Sequence, residues 1–205
     1  DCITNPASAL RPPMLPWEHA AVGYLAYSLW CHVVDRRSPR ALEAIAALVG
    51  SQLPDLIDKP LSWQYGVFDS GYALGHSIFF AVPVAVGAGL LARAYGRGSI
   101  GLAIALGYLL HLPGDLVEDV LREGELVAAP ILWPVVRAPP SPEQPVVGVT
   151  IDLFYEYVDA LTAPNPPTFV LVQAGVIAGT ALLWLYDGAP VLRELLVGVR
   201  RRLGH

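Results

Sequence analysis

Long apolar runs follow one another along the chain, separated by short segments that carry most of the charges. A helix needs about 20 mostly apolar residues to cross a bilayer, and somewhat shorter spans occur. Five runs come close to that length, and the second of them carries Glu43 near its start. The pattern predicts an all-α fold, a polytopic membrane helical bundle of about five transmembrane helices. The predicted spans are residues 17–34, 41–57, 73–92, 98–112 and 167–186.

The last run, 167–186, is the most uniformly apolar, and Gly175 and Gly179 give it a small-residue face typical of close helix packing. Residues 113–166 before it are rich in proline and contain two candidate short helices, near 114–123 and 150–162. The second has acidic residues on one face and apolar residues on another, as a surface helix does. We therefore expect a Pro-rich extramembrane cap over 113–166, within a single membrane domain that covers residues 1–205.

The composition supports a membrane location and excludes some partners. Hydrophobic residues make up 54% of the chain and charged residues only 15%, and the mean hydropathy is +0.49. The net charge of −5 argues against nucleic acid as the main partner, because duplex binding needs a basic face. Cys2 and Cys31 stand alone, so neither a disulfide framework nor a cysteine metal site is predicted. Membrane lipid is the expected surrounding, and the oligomeric state stays open.

Basic residues predict the orientation, because lysine and arginine concentrate in short cytoplasmic loops. If the five spans alternate, most of the arginines fall on one side. That side holds Arg36, Arg37, Arg40, Arg93, Arg97, Arg193, Arg200, Arg201 and Arg202, and the other holds Arg11, Lys59, Arg122 and Arg137. We expect an integral protein of a prokaryotic plasma membrane, with the N-terminus outside and the C-terminus in the cytoplasm.

Six ionisable residues lie at the ends of the predicted spans that share the outer face. They are His19, Asp55, Asp58, His76, His111 and Asp115. A single histidine at a membrane interface is usually just solvated, and His32, near the opposite face, is interpreted as structural. Ionisable residues beside apolar spans are nevertheless candidates for function, and the alternation of spans was derived without using these six.

Imidazole and carboxylate are the usual ligands of borderline and hard divalent cations. His111 and Asp115 are four residues apart, which places both on one face of a helix, although Pro113 should kink or end that helix. Asp55 and Asp58 lie three apart and would repel each other without a cation between them. The pattern predicts a divalent metal site, with zinc first and manganese or magnesium as alternatives, and one or two ions.

The succession of His19, LPDLID at 53–58, GHS at 75–77, HLPGD at 111–115 and PILWP at 130–134 resembles the YdjM-like family of membrane-bound metal-dependent hydrolases. The resemblance covers about residues 17–137 and implies that the six residues form the metal site. Two departures stand out. LPDLID replaces the usual PDID, and SGYALGHS lacks the basic lead-in usual before the family's THS motif.

The resemblance implies hydrolysis of an ester or phosphoester by metal-activated water at the outer face, with a small molecule or a lipid as substrate. A site under an acidic cap suits an amphiphilic, lipid-linked molecule. Glu118 and Asp119, which follow HLPGD, are the candidate catalytic residues for proton transfer, ahead of Glu18. Two other functions stay open. The chain could bind or transport a divalent cation without catalysis, or a metal could clamp the helix ends in a structural or assembly factor.

Overall fold

A computed structural model describes residues 15–124, 128–141 and 145–203. Within these ranges the chain forms helices and no strand, which confirms the all-α prediction. The α-helices are α1 Pro16–Trp30, α2 Ala41–Lys59, α3 Ile78–Ala94, α4 Gly98–Glu123, α5 Val146–Thr162, α6 Thr168–Tyr186 and α7 Leu192–Leu203. Short π-helical turns, Cys31–Asp35 and Pro60–Gln64, extend α1 and α2.

Two helices in the described ranges are long and apolar enough on their own to cross a membrane, Gly98–Leu121 of α4 and Thr168–Tyr186 of α6. The prediction of about five such spans is therefore too high by this measure. Helix α3 is apolar but shorter, and α1 is shorter still. Helix α2 has the length, but Glu43, Asp55 and Asp58 reduce its hydropathy.

Helix α4 lies at the centre of the bundle and packs against α1, α2 and α3, while α6 packs against α1. The crossing of α2 and α4 is tight because glycines face the opposing backbone. A Cβ atom at Gly50 would come within 2.3 Å of the Ile104 carbonyl oxygen, and one at Gly107 within 2.4 Å of that of Ala47. The contacts make α2 parallel to α4, whereas α1, α3 and α6 run the other way.

The bundle turns its charges inward and its apolar side chains outward. Glu43, Asp55 and Asp58 of α2 are buried, whereas Leu42 and Leu56 of the same helix are each 63% exposed. Helices α1 and α3 likewise expose Leu29, Trp30, Phe79, Val86 and Leu90. In water such a surface would be unfavourable, since hydrophobic burial drives folding there. The distribution is typical of helices that face lipid and keep polar groups among themselves.

Three local predictions were wrong. Pro113 does not end α4, which continues to Glu123, so the first candidate helix of the cap belongs to a span. Residues 73–77 do not begin the third helix; they form an irregular segment that precedes Ile78. Gly175 and Gly179 do not pack against another helix of the described part of this chain, because nothing there lies within 4 Å of a Cβ at either position.

The opposite end of the bundle is held by a separate polar cluster. Asp187, directly after α6, accepts hydrogen bonds from Tyr24 and Ser28 of α1 at 2.7 and 2.6 Å, and it lies 2.6 Å from His32 Nε2. Its pKa is lowered, since these hydrogen bonds outweigh the opposing effect of burial. The cluster fixes the ends of α1 and α6, which fits the structural interpretation of His32.

Candidate metal centre

Two imidazoles face each other at the centre of the site. His76, in the irregular segment before α3, and His111, in α4, are both fully buried, and their Nε2 atoms lie 3.2 Å apart. His76 Nδ1 lies 2.8 Å from Asp58 Oδ2, and His111 Nδ1 lies 2.6 Å from the carbonyl oxygen of Ser51. Both partners accept, so each Nδ1 carries the hydrogen and each Nε2 presents a lone pair. Two lone pairs this close repel unless a metal ion or a shared proton lies between them.

Two carboxylates complete this group. Asp55 Oδ1 lies 3.3 Å from His76 Nε2 and 3.7 Å from His111 Nε2. Asp115 Oδ2 lies 3.6 Å and 3.5 Å from the same two nitrogens. The i,i+4 spacing of His111 and Asp115 does bring both onto one face of α4, and the helix persists through Pro113 between them.

The spacing of these atoms fits a small divalent cation. A tetrahedral zinc ion with bonds of about 2.0–2.1 Å separates its ligand atoms by about 3.3 Å. The measured separations from 3.2 to 3.7 Å match that value closely. Asp115 Oδ2 also has no hydrogen-bond donor among the described residues. A buried carboxylate oxygen without a donor is costly, and a bound cation would remove that cost.

A second group adjoins the first. His19 of α1 is buried, its Nε2 lies 3.3 Å from Asp115 Oδ1, and its ring stacks on that of His111 with centroids 3.5 Å apart. The ligand atoms of His19, His111 and Asp115 converge within 4.8 Å, as do those of Asp55, His76 and His111. His111 belongs to both groups. The arrangement accommodates one or two ions.

Asp58 lies behind His76 instead of among the atoms that converge. It is fully buried, and its carboxylate accepts hydrogen bonds from the backbone N–H groups of Ala73, Gly75 and His76 at 2.8 to 3.1 Å. The structure thus places this predicted ligand outside both groups, because its oxygens hold the 73–76 segment and orient the His76 ring. Gly75 permits this approach, since a Cβ there would lie 2.8 Å from the Pro54 carbonyl oxygen.

Replacing Asp58 with asparagine is expected to lower metal affinity by about 10–100-fold, the usual effect of losing the partner that orients a metal-bound histidine. The amide keeps the size of the side chain but loses the charge that fixes the His76 tautomer. Affinity is measured by competition with a chromophoric chelator, and circular dichroism checks that the helices remain. Asp69→Asn, at an exposed carboxylate of the same connection, is the matched control. Equal affinities in the two variants would show that Asp58 does not position His76.

Lys59 is the unexpected member of the site. Its ammonium lies 2.5 Å from Asp55 Oδ2 and 5.8 Å from the centre of the Trp63 ring, and the side chain is buried. The pair leaves Asp55 Oδ1 facing the two imidazoles. Lys59 was counted only among the basic residues of the outer side, but its i,i+4 spacing from Asp55 indicates that the two side chains meet on a helix.

Glu118, Asp119 and Tyr72 surround this centre. Glu118 is buried one turn after Asp115, and Gln173 of α6 donates to its Oε1 at 3.5 Å. Asp119 follows it on α4. The edge of Tyr72 packs against the His76 ring at 4.8 Å. Burial, followed by the nearby carboxylates, raises the pKa of the Tyr72 phenol well above its usual value, so the hydroxyl stays protonated. Nothing in the sequence around Tyr72 predicted this position.

The GHS and PILWP motifs of the sequence meet in space. Ser77, at the start of α3, donates a 2.6 Å hydrogen bond to the carbonyl oxygen of Trp133. The ring of Phe68 packs edge-on against Trp133, and the Ser141 backbone N–H donates to the carbonyl of Asp69. The segment around PILWP therefore holds the connection that carries His76 in place. Ser77 contributes to this through its hydrogen bond to Trp133, which is a role beyond helix packing.

An all-helical chain with apolar membrane-length helices and a buried cluster of histidines and aspartates is a helical membrane protein with a candidate metal site. Comparison with protein families then gives its relationship: residues 14–191 match the family described as YdjM inner membrane protein, and the chain belongs to that family. The match confirms the family resemblance and supports the membrane location. No curated protein and no solved structure matches the chain.

Proposed function

We propose that this chain is a membrane-embedded metal-dependent hydrolase of an ester or phosphoester. The observation that carries the proposal is the pair of imidazoles of His76 and His111, whose Nε2 lone pairs face each other at 3.2 Å between Asp55 and Asp115. Without a bound cation such an arrangement contributes little to stability, because apolar residues of similar volume are often equally stable. Asp55, His76 and His111 have the ligand types and the number of protein ligands typical of catalytic zinc sites, which use three protein ligands and water.

Asp55, His76 and His111 would hold an ion, and the adjoining group of His19, His111 and Asp115 would hold it instead or hold a second one. A divalent metal bound there, zinc first and manganese or magnesium as alternatives, would supply Lewis acidity to the reaction. Ser51 and Asp58 keep the two imidazoles in the tautomer that binds a metal. Lys59 keeps Asp55 in place.

Glu118 is the residue we assign to proton transfer, with Asp119 as its alternative. In the proposed reaction the oxygen of a water molecule bonds to the ester carbon or to phosphorus, and the bond to the alcohol oxygen breaks. Glu118 takes the proton from that water and returns it to the departing alcohol oxygen. Tyr72, protonated and packed on His76, is placed to donate a hydrogen bond to the substrate.

Hydrolysis is tested with purified protein on a panel of water-soluble phosphoesters, carboxylic esters and phospholipids, each with and without a chelator. We expect turnover of at least one substrate, its loss on chelation and its recovery when zinc or manganese is added. Turnover that a chelator leaves unchanged would contradict the proposal. Metal binding without turnover of any substrate would favour the structural clamp or a cation-binding protein.

The membrane location follows from the family and from α4 and α6. We further propose that α1, α2 and α3 lie in the bilayer as well, giving five embedded helices. The inward charges and outward apolar side chains of α2 support this. The mean hydropathy of α2 is low because it includes buried charged residues that would not contact lipid. The metal site would then lie toward the outer face of the plasma membrane.

Helix α7 supports the proposed orientation. Its apolar residues Leu192, Leu195, Leu196 and Val199 fall on one face, and Arg193, Arg200, Arg201 and Arg202 outnumber the single Glu194 on the rest. A basic amphipathic helix of this kind lies well at the anionic surface of the cytoplasmic leaflet. It directly follows α6, which supports a C-terminal end inside and an N-terminal end outside.

Cysteine labelling tests the orientation at two exposed positions. Tyr65→Cys follows α2 and Arg97→Cys precedes α4, and both side chains point into solvent. In intact cells a membrane-impermeant maleimide is expected to label position 65, and position 97 only after permeabilisation, with Cys2→Ser as the common background. Labelling of both positions from the same side would exclude the proposed arrangement of helices, and the reverse pattern would invert it.

A further inference from the structure

A groove runs along the outside of the bundle between α1, α4 and α6. Its volume is about 310 Å³, and most of its lining is apolar, including Val22, Leu110, Val117, Phe169 and Val176. The groove exists because α6 packs closely on α1 but only lightly on α4. It therefore separates the two helices that are long and apolar enough to cross a membrane.

Polar groups enter this groove at one level only. Glu18, Glu118 and Gln173 are the polar residues of its lining, and all three are buried. Glu18 directly precedes His19, and Glu118 lies one turn after Asp115 on α4. Buried carboxylates are rare in a membrane and mark functional surfaces. The polar end of the groove is thus level with the candidate metal centre.

Gly114 lines the groove next to Asp115. On α4, His111 and Asp115 point into the metal centre, while Leu110, Gly114 and Val117 line the groove. The metal centre and the groove therefore lie on adjacent faces of the same helix. Val117 is 56% exposed. A ligand in the groove can therefore enter laterally from the surrounding lipid and still reach a position next to the metal centre.

A second cavity, of about 350 Å³, adjoins the centre through Tyr72, which lines the cavity and also packs on His76. Its lining combines apolar residues with one anion and one cation, Asp69 and Arg137. An apolar groove and a pocket that carries both charges thus adjoin the same candidate metal centre, and the pair of charges suits the phosphate and the cationic group of a zwitterionic headgroup.

We propose that the groove binds an acyl chain of a phospholipid, whose polar headgroup lies in the Tyr72 pocket. The substrate class would then be a membrane phospholipid that reaches the site laterally, and the bond cleaved would be an ester or phosphoester bond at the glycerol that connects the acyl chain to the headgroup. This inference rests on the proposed hydrolase function for its catalytic part, whereas binding of the lipid chain can be measured without any turnover.

The test uses the full chain in nanodiscs that contain phosphatidylcholine with a diazirine in one acyl chain. After illumination, with the labelled positions resolved residue by residue, we expect cross-links to concentrate on groove-lining residues such as Leu110, Val117 and Val176. Val176→Trp fills the groove and is expected to lower that cross-linking by about fivefold or more, the minimum expected from an overpacking penalty of about 1 kcal/mol or more. Leu171→Trp, on α6 but outside the groove, is the matched control and should leave cross-linking unchanged.

Equal cross-linking of parent and Val176→Trp would overturn the inference, as would cross-links spread evenly over lipid-facing residues such as Leu171 and Leu182. The two proposals can fail separately. Cross-links in the groove without turnover of any ester would keep the groove and refute the hydrolase. Chelator-sensitive hydrolysis of soluble esters, without cross-links in the groove, would keep the hydrolase and refute the lipid class. If both stand, Val176→Trp slows cleavage of long-chain phospholipids and spares short-chain analogues.

Discussion

Replacing His111 with alanine is expected to remove the bound metal and the activity together. His111 belongs to both groups of converging atoms, so its loss affects every arrangement of one or two ions. We expect metal affinity to fall by more than about 100-fold, the upper value for removing only a supporting partner of a ligand. Elemental analysis of purified parent and variant gives the metal content, and the substrate panel gives the activity.

His32→Ala is the matched control for this variant, because His32 lies at the opposite end of the bundle beside Asp187. It should keep its full metal content. Asp55→Ala provides a second test at a residue from a different helix, and we expect it to lose metal as well. Undiminished metal content in both the His111 and the Asp55 variants would refute the site.

Replacing Glu118 with glutamine is expected to lower the turnover rate by about 10²- to 10⁴-fold, the usual contribution of a positioned general base. The glutamine keeps the shape of the side chain and its hydrogen bond with Gln173, but it cannot take a proton. Metal content and the affinity for substrate should stay close to those of the parent, because Glu118 is not among the converging ligand atoms. Rates under saturating substrate, together with elemental analysis, separate the two effects.

Asp119→Asn distinguishes the two candidate bases, since it removes the neighbouring carboxylate on α4. We expect this variant to retain most of the activity. A large rate loss in Asp119→Asn with normal turnover in Glu118→Gln would assign the proton transfer to Asp119. Loss of metal in Glu118→Gln would instead make Glu118 a ligand.

The hydrophobic pattern predicted where the helices lie because apolar runs leave few alternatives to a helix in lipid. Their ends were harder to predict. Pro113 removes one backbone donor, and sequence rules for soluble helices expect an end there. In α4 the helix continues, because neighbouring helices hold the chain in place, and this continuation keeps Asp115 on the same face as His111.

The sequence predicted which residues come together at the site, but not which of them converge on one point and which support the others from behind. Alternation of spans brings histidines and aspartates to one end of the bundle, and the structure does bring His19, Asp55, His76, His111 and Asp115 together. The sequence could not show that Asp58 supports His76 from behind, because that depends on the path of residues 73–76. Tyr72 and Gln173 reach the centre only through tertiary packing.

Hydropathy along the sequence also could not distinguish a charge that faces lipid from one that faces another helix. Glu43 shows the difference. It lies near the start of an apolar run, but both of its oxygens accept from the Arg37 guanidinium, at 2.6 and 2.9 Å. Its cost to membrane insertion is therefore smaller than a count of charges implies.

Lys59 and Asp55 lie four residues apart on the same helix, so their ion pair can form within α2 alone. A bare carboxylate delivered into the bilayer would cost several kcal/mol, whereas the pair enters as a neutral unit. Helix α2 can thus be inserted during biosynthesis before any ion is acquired. Under the proposed function, the ion would then be acquired after α2 has been inserted.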